Sequence, residues 1–164
     1  MSATRDSGVP IVVEAVARAS LETTFDVIVP IDLSRVFHKH GPLPGVNGTR
    51  GAEGAWDHVG ASRVVELSDG SEAPETITAY ERPGYFGYTV GPFESAPLRW
   101  LVDVALGEFW FIAGDDATAI RWSYTFVPKS SIRKPLVRLV VGTLWRGYAK
   151  RTLERMVVEV ERAA

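Results

Sequence analysis

"TAIRWSYTFVPKSSIRKPLVRLVVGTLWRGYAKRTLERM", residues 118–156, changes its periodicity halfway along. Its first ten residues alternate, which places Trp122, Tyr124 and Phe126 on one face of a strand. After "VPKS" the alternation stops. Ser131 and then Pro135 open a helical pattern that runs to about Arg162. A helix of that length reaches roughly 40 Å or more, enough to cross a whole sheet. Its second half is amphipathic, with Val141, Trp145, Tyr148, Leu153, Met156 and Val160 on one broad face. Its first half, "LVRLVVGTLW", is apolar nearly all round and so is expected to be covered on every side. The sheet would cover one side, and a short helix, a lid or a second subunit (hence a homodimer) the other.

Upstream of this stretch the strand signal is dense. "ASRVVEL" runs into "SDG", "ETITAYE" into "RPG", and "YFGYTV" stops at Gly91-Pro92. "GEFWFIA" and the strand at 118 flank "GDDA", another hairpin connection. Between them "ESAPLRWLVDVAL" reads equally as strand or as a short helical cover. Near the N-terminus "LETTFDVIVP" (21–30) alternates and is rich in β-branched residues, which predicts a strand ended by Pro30. "IVVEAVARA" before it is ambiguous between strand and short helix. Asp32 can cap a short helix over Leu33 to Lys39. From Gly41 to Gly60, six glycines and two prolines with little periodicity predict a long loop, a frequent place for lids and binding segments.

At 164 residues the chain fits one domain, read as 11–164 behind a flexible N-terminus of residues 1–10. Apolar residues make up 46%, so a packed core is expected rather than disorder. The absence of cysteine excludes disulfides, thiolate metal sites and a cysteine nucleophile. No signal peptide and no membrane-length apolar run is visible, which leads to the expectation of a soluble cytoplasmic protein and no integral membrane association. Between Lys129 and Arg162 nine basic residues face three acidic ones, although the whole chain carries −2. A basic helix over an acidic body predicts intramolecular complementarity, with an anionic ligand or membrane surface as the alternative. A pI of about 5.9 and the lack of a recognised motif argue against nucleic acid.

One antiparallel sheet folded around one long helix follows from this order of elements, and the helix cannot fill the concave side of so large a sheet. An internal apolar cavity is therefore expected. Its lining would draw on Phe86, Tyr88, Trp100, Phe109, Phe111, Trp122, Tyr124, Phe126, Val141, Trp145 and Tyr148, any of which could equally be plain core.

The same order of strand, short helices, antiparallel strands and long C-terminal helix resembles the helix-grip fold (α+β) of the START/Bet v 1-like, or SRPBCC, superfamily. "VPIDLSRVF" (29–37), "GASRVVELSDGS", "ETITAYERPGYFGYTV", "ATAIRWSYTFVPKS" and "LWRGYAKRTLERM" are similar to patterns of its polyketide cyclase/dehydrase-like group of bacterial proteins. The resemblance covers roughly residues 20 to 162. It implies two short helices after the first strand and a role with a hydrophobic ligand. It carries no catalytic constellation, and a fold does not fix a chemistry.

Candidate chemistry rests on few residues. Arg63 and Glu75 flank one hairpin and could meet, as a buried pair orienting a carbonyl or as a rim ion pair. Tyr88 and Tyr124 offer hydroxyls; Glu66 and Glu108 are further carboxylates on strands. His38 and His40 stand i, i+2 in "FHKHGPLPGVNG", with Asp57 and His58 close behind. That spacing supports no metal motif, and the expectation is no metal and no cofactor. His40 and His58 are read as proton-transfer groups at the cavity mouth or as solvated loop residues. Two functions stay open: a binder of a lipid, polyketide or similar metabolite, and a metal-free cyclase or dehydratase (lyase or isomerase type). The second would draw on Tyr88, Tyr124, Arg63, Glu75 or His40 for proton transfer.

Overall fold

The structure, a computed structural model, describes residues 7–52 and 54–164. Seven strands form one antiparallel sheet in the order β1-β7-β6-β5-β4-β3-β2. They are β1 (Val9–Ala17), β2 (Val46–Arg50), β3 (Ser62–Leu67), β4 (Glu72–Glu81), β5 (Tyr85–Val90), β6 (Val102–Ala113) and β7 (Thr118–Pro128). Helix α1 (Leu21–Ile28) and a 3-10 turn (Leu33–Arg35) follow β1, and α2 (Leu98–Leu101) precedes β6. A long C-terminal helix closes the chain as α3 (Lys134–Val140), π-helical turns (Val141–Trp145) and α4 (Arg146–Ala163). This is the expected helix-grip architecture. Residues 1–6, most of the segment read as a flexible N-terminus, lie outside the described residues, while Val9 and Pro10 already belong to β1.

Register aligns the inner face into rows. Arg63 pairs with Glu75, Glu75 with Val90, Val90 with Ala105, and Ala105 with Phe126. The next row runs Ile77, Tyr88, Gly107, Tyr124 and Ile11. A third joins Phe86, Phe109, Trp122 and Val13. All face α4, whose buried side chains include Tyr148, Leu153, Met156 and Val160. The helix packs on β1 and α1. Arg155 donates to the Val36 carbonyl and Arg35 pairs with Glu159 at 2.7 Å, which fixes the 3-10 turn against the helix.

Five expectations need correction. "LETTFDVIVP" is not a strand: Leu21–Ile28 is helix α1. The Ser20 hydroxyl accepts from the Thr23 amide at 3.1 Å, and Thr24, Phe25 and Ile28 are the buried positions. A cap and burial spaced at three to four residues outweigh β-branched propensity. The helix expected over Leu33 to Lys39 shrinks to the 3-10 turn, although Asp32 caps it as expected by accepting from Ser34 N at 3.0 Å. The expected loop from Gly41 to Gly60 contains β2, an edge strand paired with β3. Its glycine and exposed polar side chains mask the strand pattern; Arg50 on it pairs with Glu72 and Glu66.

The fourth concerns the first half of the long helix. Within the single chain neither a short helix nor a lid covers it all round: Val137 and Val141 are buried, but Leu136 is 49% and Leu139 61% exposed. Charge complementarity with the body also fails there. Among the described residues no carboxylate lies within ion-pair distance of Lys129, Arg133, Lys134, Arg138, Arg146, Lys150 or Arg151.

Candidate binding cavity

Between the sheet and the long helix lies a largely apolar cavity of about 90 Å³. Its floor is the inner face of β3 to β7. Its roof is Trp145, Tyr148 and Met156, and Phe37, Leu43 and Val46 close one side. The loop after β5 supplies Phe93, Ser95 and Ala96, and α2 supplies Leu98.

Two polar clusters break the apolar lining. Arg63 and Glu75 are 9% and 5% exposed, and Arg63 Nε donates to Glu75 Oε2 at 2.6 Å. The guanidinium also lies 4.0 Å from the centroid of Trp56, so it is held between an indole and a carboxylate. Burial pushes the Glu75 carboxyl above its ordinary value, and the Arg63 charge and hydrogen bond only partly oppose this. The second cluster is a pair of phenols. Trp122 Nε1 donates to Tyr88 Oη at 3.1 Å, and the Tyr88 and Tyr124 rings meet edge-on with centroids 6.0 Å apart. Burial raises both phenols, and Glu75 is near enough for its charge to add to the rise in each. The carboxylate and the phenols therefore form one electrostatic unit.

Gly107 is what allows Tyr88 to lie this way. A Cβ built on Gly107 would sit 2.2 Å from Tyr88 Cζ, so the phenol ring rests directly on the β6 backbone. Beside it the aromatics interlock: Phe109 and Trp122 stack with centroids 5.0 Å apart at 9°, and Trp145 meets Tyr124 at 5.1 Å. The Trp145 indole N–H is buried with no hydrogen-bond partner, an orphan donor in the wall of the cavity.

At the rim, the hydroxyls of Ser71 and Ser95 both donate to the Asp69 carboxylate and lie in contact with each other. Glu94 accepts from the Glu72 amide at 2.9 Å. Together these bonds latch the loop after β5 onto the β3–β4 turn, over one side of the cavity.

Of the residues expected to line the cavity, Phe86, Tyr88, Phe109, Tyr124, Trp145 and Tyr148 do, and so do Arg63 and Glu75. Phe111, Trp122, Phe126 and Val141 are buried but lie outside the cavity lining. Trp100 is misplaced by the sequence reading: it is 56% exposed, because Leu98 and Leu101 take the two inward positions of α2. His40 does not line the cavity; its ring lies 6.2 Å from that of Tyr148 and against Gly147. His38 hydrogen-bonds the Arg35 carbonyl, and His58 pairs with Asp57 at 2.9 Å in solvent. Among the described residues no three His, Asp or Glu side chains gather as a metal site. Glu66 belongs to the exposed Arg50 cluster, and Glu108 lies on the outer face, accepting from Tyr85 Oη at 2.6 Å. The sequence reading missed Gly107, Trp56 and the Asp69–Ser95 latch. Only Gly107 left a signal, a glycine inside a strand pattern.

The comparisons agree with this fold. The crystal structure of Ara h 8.0201 superposes with a TM-score of 0.66 at 17% identity, over 94% of this chain and 96% of that one. Major latex-like protein 151 from Panax ginseng gives 0.63 at 13% identity, covering 95% and 97%. The protein XoxI from Bacillus cereus gives 0.62 at 15% identity, covering 92% and 94%. At such identities the likeness concerns the fold. No curated protein matches the sequence. No helix among the described residues is long and apolar enough to cross a membrane. Residues 9–161 match the family described as polyketide cyclase / dehydrase and lipid transport, so the chain belongs to that family, within the START/Bet v 1-like superfamily.

Proposed function

We propose that the protein binds a hydrophobic or aromatic small molecule, such as a lipid or polyketide-like metabolite, between the sheet and the long helix. The observation that carries this reading is an apolar cavity interrupted by two convergent polar clusters, Arg63–Glu75 and Tyr88–Tyr124. Small-molecule sites generally take this form, with apolar walls for affinity and a few placed polar groups for orientation. Arg63 and the Trp145 indole are donors for a ligand carbonyl or hydroxyl. The apolar body of the ligand would lie against Phe37, Phe86 and Val90. A cavity of about 90 Å³ holds only a small ligand without movement, so a larger one requires the loop carrying Ser95 to swing out.

The test is native mass spectrometry of freshly purified protein, followed by challenge with a panel of fatty acids and aromatic polyketides. Bound adducts, or uptake that weakens in Arg63→Met, are expected. A clean unliganded mass with no uptake from the panel would sink the reading.

A second reading is supported by the raised carboxyl of Glu75 beside two phenols. A buried carboxylate with a raised pKa is a competent base for removing a proton next to a carbonyl, and a donor such as Arg63 or Tyr124 would stabilise the enolate oxygen. The enolate carbon would then attack a second carbonyl of the same molecule, with the proton held on Glu75 passing to the new alkoxide (a cyclase), or the enolate would expel a β-hydroxyl that takes this proton and leaves as water (a dehydratase); neither step needs a metal. Unchanged turnover of a processed substrate by Glu75→Gln would dispose of it.

A further inference from the structure

We infer that the face formed by α2 and the start of the long helix docks on a membrane surface rich in anionic lipid. Leu136 and Leu139, 49% and 61% exposed, stand three residues apart on one side of α3, and Ile132, 89% exposed, lies on the 3-10 turn (Ser131–Arg133) that leads into it. Trp100 joins them, because Arg133 donates to its backbone carbonyl and so fastens α2 beside this stripe. Arg99 lies 4.9 Å from the Trp100 ring centroid. Four large apolar side chains thus stand outward on two neighbouring elements whose other faces, through Leu98, Leu101, Val137 and Val141, are fixed in the core.

The charge around them decides the occupant. No acidic residue occurs between Asp116 and Glu154, a stretch that holds eight Lys or Arg. Lys134 and Arg138 stand on α3 with the apolar stripe, Arg133 reaches from the 3-10 turn to the Trp100 carbonyl, and the Lys129 amide donates to the Leu101 carbonyl, so all four cations flank the patch. Among the described residues none of these four pairs with a carboxylate. The nearest acids in sequence to α2 are Glu94, engaged at the latch, and Asp103. An apolar stripe carrying an interfacial tryptophan, rimmed by unpaired cations, is complementary to headgroup phosphates over acyl chains. A second copy of the chain is disfavoured, since a two-fold contact would bring the two basic rims together.

The position adds a consequence. Leu98 lines the cavity while Trp100, two residues later on the same short helix, faces out, so docking would set the cavity wall against the lipid. The inference does not depend on what the cavity holds.

Flotation of the full chain with vesicles tests it. Equimolar phosphatidylcholine and phosphatidylglycerol should carry the protein, phosphatidylcholine alone should carry much less, and high salt should release it. Each cation near the surface is worth about fivefold in partition, so Lys134→Glu/Arg138→Glu should lose at least about twentyfold. Leu139→Glu and Ile132→Ser should lose binding while keeping the wild-type unfolding transition; the second keeps the test decisive if the first misfolds. Wild-type protein that fails to float, or variants that float as well as wild type, would overturn the inference. So would a dimer in gel filtration that Leu139→Glu dissolves while no vesicle binding is seen, because a second copy would then cover the patch.

Discussion

The two sides of the sheet's inner face are built on different terms. Over β5 to β7 the wall is aromatic and full: Phe109 stacks on Trp122, Tyr88 lies on Gly107, and Trp145 closes from the helix. Over β3 and β4 it is thinner, with Arg63 and Glu75 where the other side has rings, and the covering loop is held by hydroxyls. The full side holds the fold together by dispersion and apolar burial. The polar side, which shares the cavity lining with it, holds charge in a place that resists it. If that division is right, the two sides must respond differently to mutation and to pH.

The largest effect is expected on the full side. Trp122 is 1% exposed, stacks on Phe109 and donates to Tyr88, so Trp122→Ala should cost about 3–5 kcal/mol. For a chain of this size that is a fall in Tm of roughly 10 °C or more, readable by calorimetry. It should be nearly independent of pH across the range where carboxylates titrate. A strong pH dependence of this loss would erase the distinction between the two sides.

Next comes the buried ion pair. Arg63→Met leaves Glu75 buried without its cation, and removing one partner of such a pair costs about 3–5 kcal/mol. Here part of that loss should disappear in acid. Glu75 is pushed up in the folded chain, so its contribution is fully present below the ordinary value of 4.5 and is lost as pH rises through the folded value. Without Arg63 the folded value rises further and the loss on raising pH grows. Arg63→Met/Glu75→Gln should recover most of the stability at neutral pH, because neither charge is left unpaired. Urea unfolding of the four proteins at acid and neutral pH gives the coupling directly. Additive losses would mean that the pair is not a unit.

Gly107→Ala probes the seam between the sides. The new methyl would fall within the Tyr88 ring, so the phenol must leave its place and its bond from Trp122. Overpacking of this kind costs about 1–3 kcal/mol. The near-ultraviolet circular dichroism should change even where the fold survives. An unchanged spectrum would show that Tyr88 does not depend on the bare backbone of Gly107.

The same division explains what could be read from the sequence. Alternation identified the aromatic strands, because Trp122, Tyr124 and Phe126 repeat every second residue and each is buried. The long helix was legible from its period and its proline. α1 was not, since its side chains alternate on paper and only the Ser20 cap and the burial of Thr24, Phe25 and Ile28 distinguish it. β2 was hidden because an edge strand with one buried residue has no pattern to show. The candidate site divided in the same way. Arg63 and Glu75 followed from hairpin register, a local matter, but Trp100 was misassigned because a four-residue helix between strands turns it outward. The latch joins residues 24 and 26 apart in sequence, beyond any local period.

The smallest expected effect is at that latch, and it is kinetic as much as energetic. Ser95→Ala removes one donor to Asp69 while the Ser71 amide and hydroxyl still hold the carboxylate, so the loss of stability should be only about 1 kcal/mol. If the loop must open to admit a ligand, the same loss raises the open population by roughly fivefold, since about 1.4 kcal/mol corresponds to tenfold. A stopped-flow trace with an environment-sensitive apolar dye should then show faster uptake with little change in the dye's final affinity. Acid should act in the same direction. Burial raises Asp69, but the bonds from Ser71 and Ser95 outweigh it and hold the carboxyl below 3.8. The latch's contribution is therefore present above the ordinary carboxylate range and is lost as pH falls through the lowered value. Wild-type uptake should quicken over that fall while Ser95→Ala changes less. Equal rates for both proteins at every pH would place the way in elsewhere on the rim, away from the Asp69 turn.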